Sequence, residues 1–138
     1  SKMLKNNGYN IINTSGEDLD IDQSAVKETN ATVVTAFQIF EHLLNPFQLL
    51  VSIKANKLVC SVPLSLWFAK AYRNSKDTRD NHFHEFEDWQ FRLLLQKTGW
   101  KIIEEKKCTN PVKKIGLRPL LRLFTNRYLI IYAEKINK

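Results

Sequence analysis

The sequence predicts an α/β fold with a mainly parallel sheet and an antiparallel C-terminal strand. Three observations lead there. Two short runs rich in β-branched and apolar residues, Thr32–Phe37 and Lys57–Val62, are nearly continuous in hydrophobicity, the pattern of strands buried on both faces of a parallel sheet. Segments with helical spacing follow each of them, and strands alternating with helices argue for layers of helix on sheet. The last two apolar runs, Trp100–Lys107 and Arg127–Lys135, read as an antiparallel pair. With 138 residues, 43% of them hydrophobic, the chain supports one domain over 1–138 rather than two.

Taken in order, Lys2–Asn7 reads as a helix end stopped by Gly8, because glycine accepts the left-handed backbone just past a helix. Tyr9–Asn13, centred on Ile11 and Ile12, is expected to be a short strand. A turn over Ser15–Asp18 and a helical turn over Ser24–Lys27 follow. After the Thr32–Phe37 strand, Asn45 caps a helix that Pro46 opens. Pro63 ends the Lys57–Val62 strand. Leu64–Asn81 is expected to be a partly helical insertion and then a loop. Glu85–Lys97 is the clearest helix: Glu85, Glu87 and Asp88 suit the positive end of its dipole, Phe86, Trp89 and Leu93 form one stripe, and Gly99 closes it. Tyr128, Ile130 and Tyr132 alternate against Leu129 and Ile131 in the last strand, and Pro111–Phe124 reads as a basic loop with a short amphipathic helix.

Composition excludes several classes. No stretch reaches the roughly 18 apolar residues of a membrane-crossing helix, and the first seven residues hold no signal-peptide core, so a cytoplasmic protein is expected. Cys60 and Cys108 are far apart and form no C-x-x-C pair; they read as buried or half-buried thiols. The net charge of +7 is spread over the chain, with its densest stretch, Lys101–Arg127, broken by Glu104 and Glu105; a nucleic-acid-binding module is therefore the least favoured reading.

Three segments together resemble the class I S-adenosylmethionine-dependent methyltransferases. Thr32–Pro46 (TVVTAFQIFEHLLNP) is similar to that family's fourth strand and its E-H-L-x-x-P turn, with Thr32 where the family often has Asp. Leu58–Pro63 (LVCSVP) is like the fifth strand, and His82–Phe86 (HFHEF) with Leu93–Trp100 (LLLQKTGW) is like the late helix and sixth strand. Upstream, Tyr9–Leu19 looks like the third strand and the acidic turn that approaches the adenine ring. The resemblance covers roughly residues 9 to 136. It implies an incomplete Rossmann-like methyltransferase fold, S-adenosylmethionine as cofactor, and a small-molecule, sugar, lipid or quinone-type methyl acceptor.

On that resemblance the cofactor would lie against Gly16, Glu17 and Asp18 on one side and Ala36, Phe37 and Gln38 on the other, in the crevice at the carboxyl ends of the strands. Glu17 and Asp18 would accept from the adenine amino group. His42 is the candidate catalytic residue near the acceptor. His82, His84, Trp67 and Tyr72 are the candidate acceptor-binding residues. No metal site is expected, since His82, His84 and Glu85 offer too few ligands together.

The sequence departs from the family in one respect that matters. The first strand should end in an E/D-x-G-x-G turn, where only glycine lets the backbone approach the cofactor closely. The 4 glycines, Gly8, Gly16, Gly99 and Gly116, form no such turn. The family's sheet order is 3-2-1-4-5-7-6, so a chain without strands one and two would leave strand three unpartnered and strand four with an open edge. The expected consequence is that two copies pair through that edge, that the first strand moves, or that the chain is a fragment of a longer protein. The competing function is a non-catalytic methyltransferase-like module that binds a partner.

Overall fold

The structure, a computed structural model, describes residues 2–14, 16–109, 121 and 124–136. Its elements are helices α1 (Lys2–Asn6) and α2 (Ser24–Lys27), strand β1 (Val33–Phe37), a 3-10 turn (Phe40–His42), α3 (Pro46–Ser52), β2 (Lys57–Pro63), a second 3-10 turn (Thr78–Asp80), α4 (Asp88–Lys97), β3 (Trp100–Cys108) and β4 (Tyr128–Lys135). The sheet runs β1-β2-β4-β3. β1 and β2 are parallel, with Val33 opposite Lys57 and Phe37 opposite Ser61, and β4 is antiparallel to both of its neighbours. Three strands therefore point one way and the C-terminal strand lies between two of them. The β3–β4 ladder shifts register between Ile102 and Glu104, which leaves Ile103 exposed.

The helix boundaries have local causes. Asn45 Oδ1 accepts from the Gln48 amide at 3.1 Å and Pro46 follows at the first position, so α3 starts with an orphan donor satisfied. Glu87 caps α4, and Gln90 Oε1 accepts from the Glu87 amide at 2.9 Å. Gly99, with φ of 85°, ends it. Gly8, with φ of 83°, follows α1 in the same way.

The core lies between the sheet and α3, α4 and the first 3-10 turn. Leu58, Cys60 and Val62 of β2 and Leu129, Ile131 and Ala133 of β4 are all buried. Phe91 packs against Phe40 and Phe86, with ring centroids at 5.6 Å and 5.1 Å. Trp100 is fully buried, and its indole Nε1 donates to the Leu50 carbonyl at 3.2 Å, which ties β3 to α3. On the outer face of α4, Arg92 bridges Asp88 and Glu105, and Lys107 also pairs with Asp88. Such exposed pairs contribute little each and mainly fix the register of α4 on β3.

Several expectations need correction. Tyr9–Asn13 is not a strand; it is irregular, with Tyr9 and Ile12 exposed, because no described strand lies where its pairing partner would have to be. β1 is not buried on both faces: Val33 is 40% and Phe37 53% exposed, and only Ala36 is buried, because β1 is an edge strand. The clearest helix starts at Asp88 rather than Glu85, since Phe86 instead bridges to Leu64 in extended conformation. Its core-facing residues are Phe91 and Leu95, while Trp89 (54% exposed) and Leu93 face outward, so the Phe86–Trp89–Leu93 stripe is not the face of the helix packed on the sheet. Leu64–Asn81 holds only the Thr78–Asp80 turn as helical structure. The basic loop and helix expected over Pro111–Phe124 lie almost wholly outside the described residues.

Phe91→Ala is expected to cost about 3–5 kcal/mol in urea denaturation, the range for truncating a buried aromatic. Trp89→Ala, on the outward face of the same helix, should stay within about 0.5 kcal/mol. The reverse order would place the core on the other side of α4.

Candidate functional site

The site is built where the chain leaves β1. Gln38 has φ of 55°, a left-handed conformation that is uncommon outside glycine and marks a tight change of direction. It is held there by two bonds to the end of β2: its amide donates to the Ser61 carbonyl at 3.0 Å, and its Nε2 donates to Ser61 Oγ at 3.1 Å. The chain then enters the Phe40–His42 turn, which buries Phe40 and Glu41. The Glu41 carbonyl accepts the amides of Phe83 at 2.8 Å and His84 at 3.2 Å, which lays the segment before α4 against the turn. Beyond it, the amides of Leu44 and Asn45 donate to the Asp20 carboxylate at 2.8 Å and 3.0 Å, drawing in the acidic turn.

Three segments thereby enclose a cavity of about 520 Å³, lined by Gly16–Asp20, by Ile39 and His42–Leu44, and by Asp77–Asp80 with Phe83. The volume lies in the usual range for small-molecule sites, roughly 300–1,000 Å³. It opens just past the carboxyl end of β1, an edge of the parallel pair, where ligands of open α/β sheets bind.

Behind the cavity wall is a cluster of rings and carboxylates. His42 Nδ1 lies 3.1 Å from the Asn81 carbonyl, which makes Nδ1 the protonated nitrogen and leaves Nε2 with its lone pair. The His42 and His82 rings meet edge to face at 4.9 Å, and Tyr72 lies 5.2 Å from His82. The Tyr72 hydroxyl donates to Asp80 at 2.9 Å, as does Asn74 Nδ2. Bonds from Asn74 and Tyr72 lower the Asp80 carboxyl below its ordinary value, and the bond to Asp80 raises the Tyr72 phenol. Burial, and then the neighbouring His42, push the His82 imidazole down. Burial pushes Glu41 up to about 7. Both Glu41 carboxylate oxygens and His82 Nδ1 are buried with no hydrogen-bond partner among the described residues.

The structure brings Gly16, Glu17, Asp18 and His42 to one cavity. Asp18 Oδ1 is partly engaged by its own turn, accepting from the Asp20 amide at 3.1 Å. His82 and Tyr72 stand behind His42. The remaining candidates lie elsewhere. Ala36 belongs to the core, Phe37 is exposed on the sheet edge, and Gln38 is bonded to Ser61; none lines the cavity. His84 stacks on Phe86 and lines a second groove, of about 620 Å³, with Phe47, Trp89 and Leu93. Trp67 is 81% exposed and touches the Phe68 ring edge-on. Asp20, Glu41 and the Asp77–Asp80 turn were missed. The signal for the last was Asp77, whose carboxylate caps the turn by accepting the Arg79 amide at 3.0 Å. Cys60 is buried and Cys108 half-buried, both free; burial pushes the Cys60 thiol up to about 12. No helix among the described residues is long and apolar enough to cross a membrane.

No family model and no curated protein sequence matches the chain. Solved structures do match. A protein of Listeria monocytogenes assigned as an S-adenosylmethionine-dependent methyltransferase superposes with a TM-score of 0.54 at 12% identity, over 77% of this chain and 62% of its own. The Haloferax volcanii methyltransferase in complex with the Trm112 activator gives 0.54 at 11%, over 78% and 54%. The Burkholderia thailandensis 1,6-didemethyltoxoflavin-N1-methyltransferase, solved with its substrate and S-adenosylhomocysteine, gives 0.54 at 15%, over 81% and 48%. The chain has a class I methyltransferase-like fold. It spans between 48% and 62% of the length of these neighbours. The order β1-β2-β4-β3, with β4 antiparallel to both neighbours, agrees with the 4-5-7-6 part of the sheet order that the resemblance implies.

The raised Glu41 value has a consequence with a definite sign. An acid whose folded pKa exceeds its unfolded one binds more protons when folded, so stability falls as pH rises from about 4.5 to about 7. In metal-free buffer, Glu41→Gln should remove this fall, which is at most roughly 3 kcal/mol at about 1.4 kcal/mol per pKa unit. Urea midpoints at pH 5 and pH 8 check it: the variant gains on the wild type at pH 8 and not at pH 5.

Proposed function

We propose that the chain is the C-terminal part of an S-adenosylmethionine-dependent methyltransferase, one methyltransferase-like domain over 1–138 without its N-terminal strands, acting on a small-molecule, sugar, lipid or quinone-type acceptor. The observation that carries this reading is the convergence of Gly16–Asp18 and His42 on one cavity past the carboxyl end of β1. The 1,6-didemethyltoxoflavin bound by the Burkholderia neighbour supports a small-molecule acceptor.

The residues present fit one half of the cofactor. Glu17 and Asp18 offer carboxylates for an adenine amino group, and Leu19, Ile39 and Leu43 offer an apolar wall. The glycine turn that would let backbone lie against the rest of the cofactor has no counterpart among the 4 glycines. When bound, S-adenosylmethionine supplies a methyl group on a sulfonium already reactive enough to need mainly orientation. The chain's own part is to hold the acceptor in the cavity and, where the acceptor must lose a proton, to receive it at His42 Nε2. Asn81 fixes the tautomer for that role.

A second reading, a non-catalytic module that binds a partner or a second copy, rests on the open edge of β1, where Val33 and Phe37 are exposed. The Haloferax neighbour is itself complexed with an activator protein.

Calorimetry with S-adenosylmethionine separates the two. This chain alone should not bind, and a polypeptide extended upstream through a D-x-G-x-G turn should bind. Glu17→Gln in the longer polypeptide should weaken binding about tenfold, the worth of one charge-assisted hydrogen bond. Absence of binding by both polypeptides would leave the partner module standing instead.

A further inference from the structure

Glu41 presents a problem that the proposed reaction does not resolve. Its side chain is fully buried, yet neither carboxylate oxygen has a hydrogen-bond partner among the described residues. An unpaired buried carboxylate costs several kcal/mol, so such groups are ordinarily paired, neutralised or bound to a cation. Among the described residues no lysine or arginine is paired with it, and two imidazoles lie beside it. His42 adjoins it in the turn, and His82 is carried in by the bonds from the Phe83 and His84 amides to the Glu41 carbonyl. One ligating atom from each of Glu41, His42 and His82 lies within 4.8 Å of the other two.

We infer that Glu41, His42 and His82 form a binding site for a single divalent transition-metal ion of the zinc, cobalt or iron(II) class. Two imidazoles and one carboxylate are the donor set that such borderline ions prefer over magnesium or calcium, which favour oxygen ligands throughout. The ligand nitrogens are available. The Asn81 carbonyl takes the proton of His42 Nδ1 and turns Nε2 free, the outer-shell arrangement common to metal-binding histidines. His82 Nδ1 is itself buried without a hydrogen-bond partner, with the Glu85 carboxylate 3.9 Å away. Donors bound to one tetrahedral ion at about 2.0–2.1 Å stand roughly 3.3 Å apart, so closing the cluster needs side-chain shifts of about an ångström. Three protein ligands leave at least one coordination position for water. The site does not depend on the methyltransferase reading; it would take the same His42 nitrogen and replace proton uptake by coordination.

The test is a titration of the chelator-treated full chain with Co²⁺, read by its visible ligand-field absorption, followed by displacement with Zn²⁺. One ion should bind per chain, and Zn²⁺ should raise the melting temperature. Glu41→Gln and His82→Asn should each weaken binding at least tenfold, as loss of a ligand or its support does. Cys108→Ser, which removes the more accessible thiol, should leave it unchanged. Far-UV dichroism in metal-free buffer verifies the fold of both ligand variants, and either one suffices. Absence of a one-to-one complex overturns the inference, and so does binding that survives both ligand substitutions or is lost with Cys108. None of these outcomes bears on S-adenosylmethionine binding, so the metal site and the cofactor reading stand or fall separately, while a bound ion would displace only the proton-accepting role of His42.

Discussion

The arrangement around the cavity depends on one backbone atom, the Glu41 carbonyl oxygen. By accepting the amides of Phe83 and His84, it joins the exit of β1 to the segment entering α4, across about forty residues of intervening chain. Without that junction, His82 and Tyr72 would have no reason to stand beside His42, and the Asp77–Asp80 turn would not close one side of the cavity. The Glu41 carbonyl can take this position because Gln38 accepts a left-handed backbone, anchored twice to Ser61, so that the turn begins immediately after the strand. A strained residue held by its surroundings at the edge of a cavity is a recurrent feature of functional sites.

Local rules made much of the fold legible. Asn45-Pro46, Gly8 and Gly99 marked helix ends through the side-chain cap, fixed φ and left-handed backbone that each residue type provides, and the structure places the ends at those positions. The alternation of Leu129 and Ile131 against Tyr128, Ile130 and Tyr132 separated the two faces of β4, and the structure buries the Leu129 and Ile131 face. The misjudgements came where tertiary context outweighs composition. Val33, Val34 and Ala36 look like a doubly buried strand, but a strand's burial depends on its neighbours, and among the described residues β1 has one. Ile11 and Ile12 carry β-forming side chains, but extended backbone becomes a strand only when a ladder satisfies it. Along α4, Trp89 and Leu93 and the true core pair Phe91 and Leu95 repeat at the same helical interval, so spacing alone cannot say which pair faces the sheet.

The site was less legible than the fold. Glu17, Asp18 and His42 were singled out through likeness to a known pattern, and all three line one cavity. What escaped was the approach of His82 to Glu41, because a contact between positions forty residues apart leaves no periodic trace. Glu41 itself looked like an ordinary acidic residue at a turn. Only its burial, with both oxygens unpartnered, distinguishes it.

The seating of Trp100 gives the molecule an internal reporter. Of the three tryptophans, Trp67 and Trp89 meet solvent, while Trp100 is sealed between sheet and helix with its nitrogen bonded to Leu50. A water-soluble fluorescence quencher would therefore extinguish the first two and spare the third. The surviving emission would report on the joint between β3 and α3 alone, so loosening of the outer loops could be told apart from loss of the core in one optical measurement.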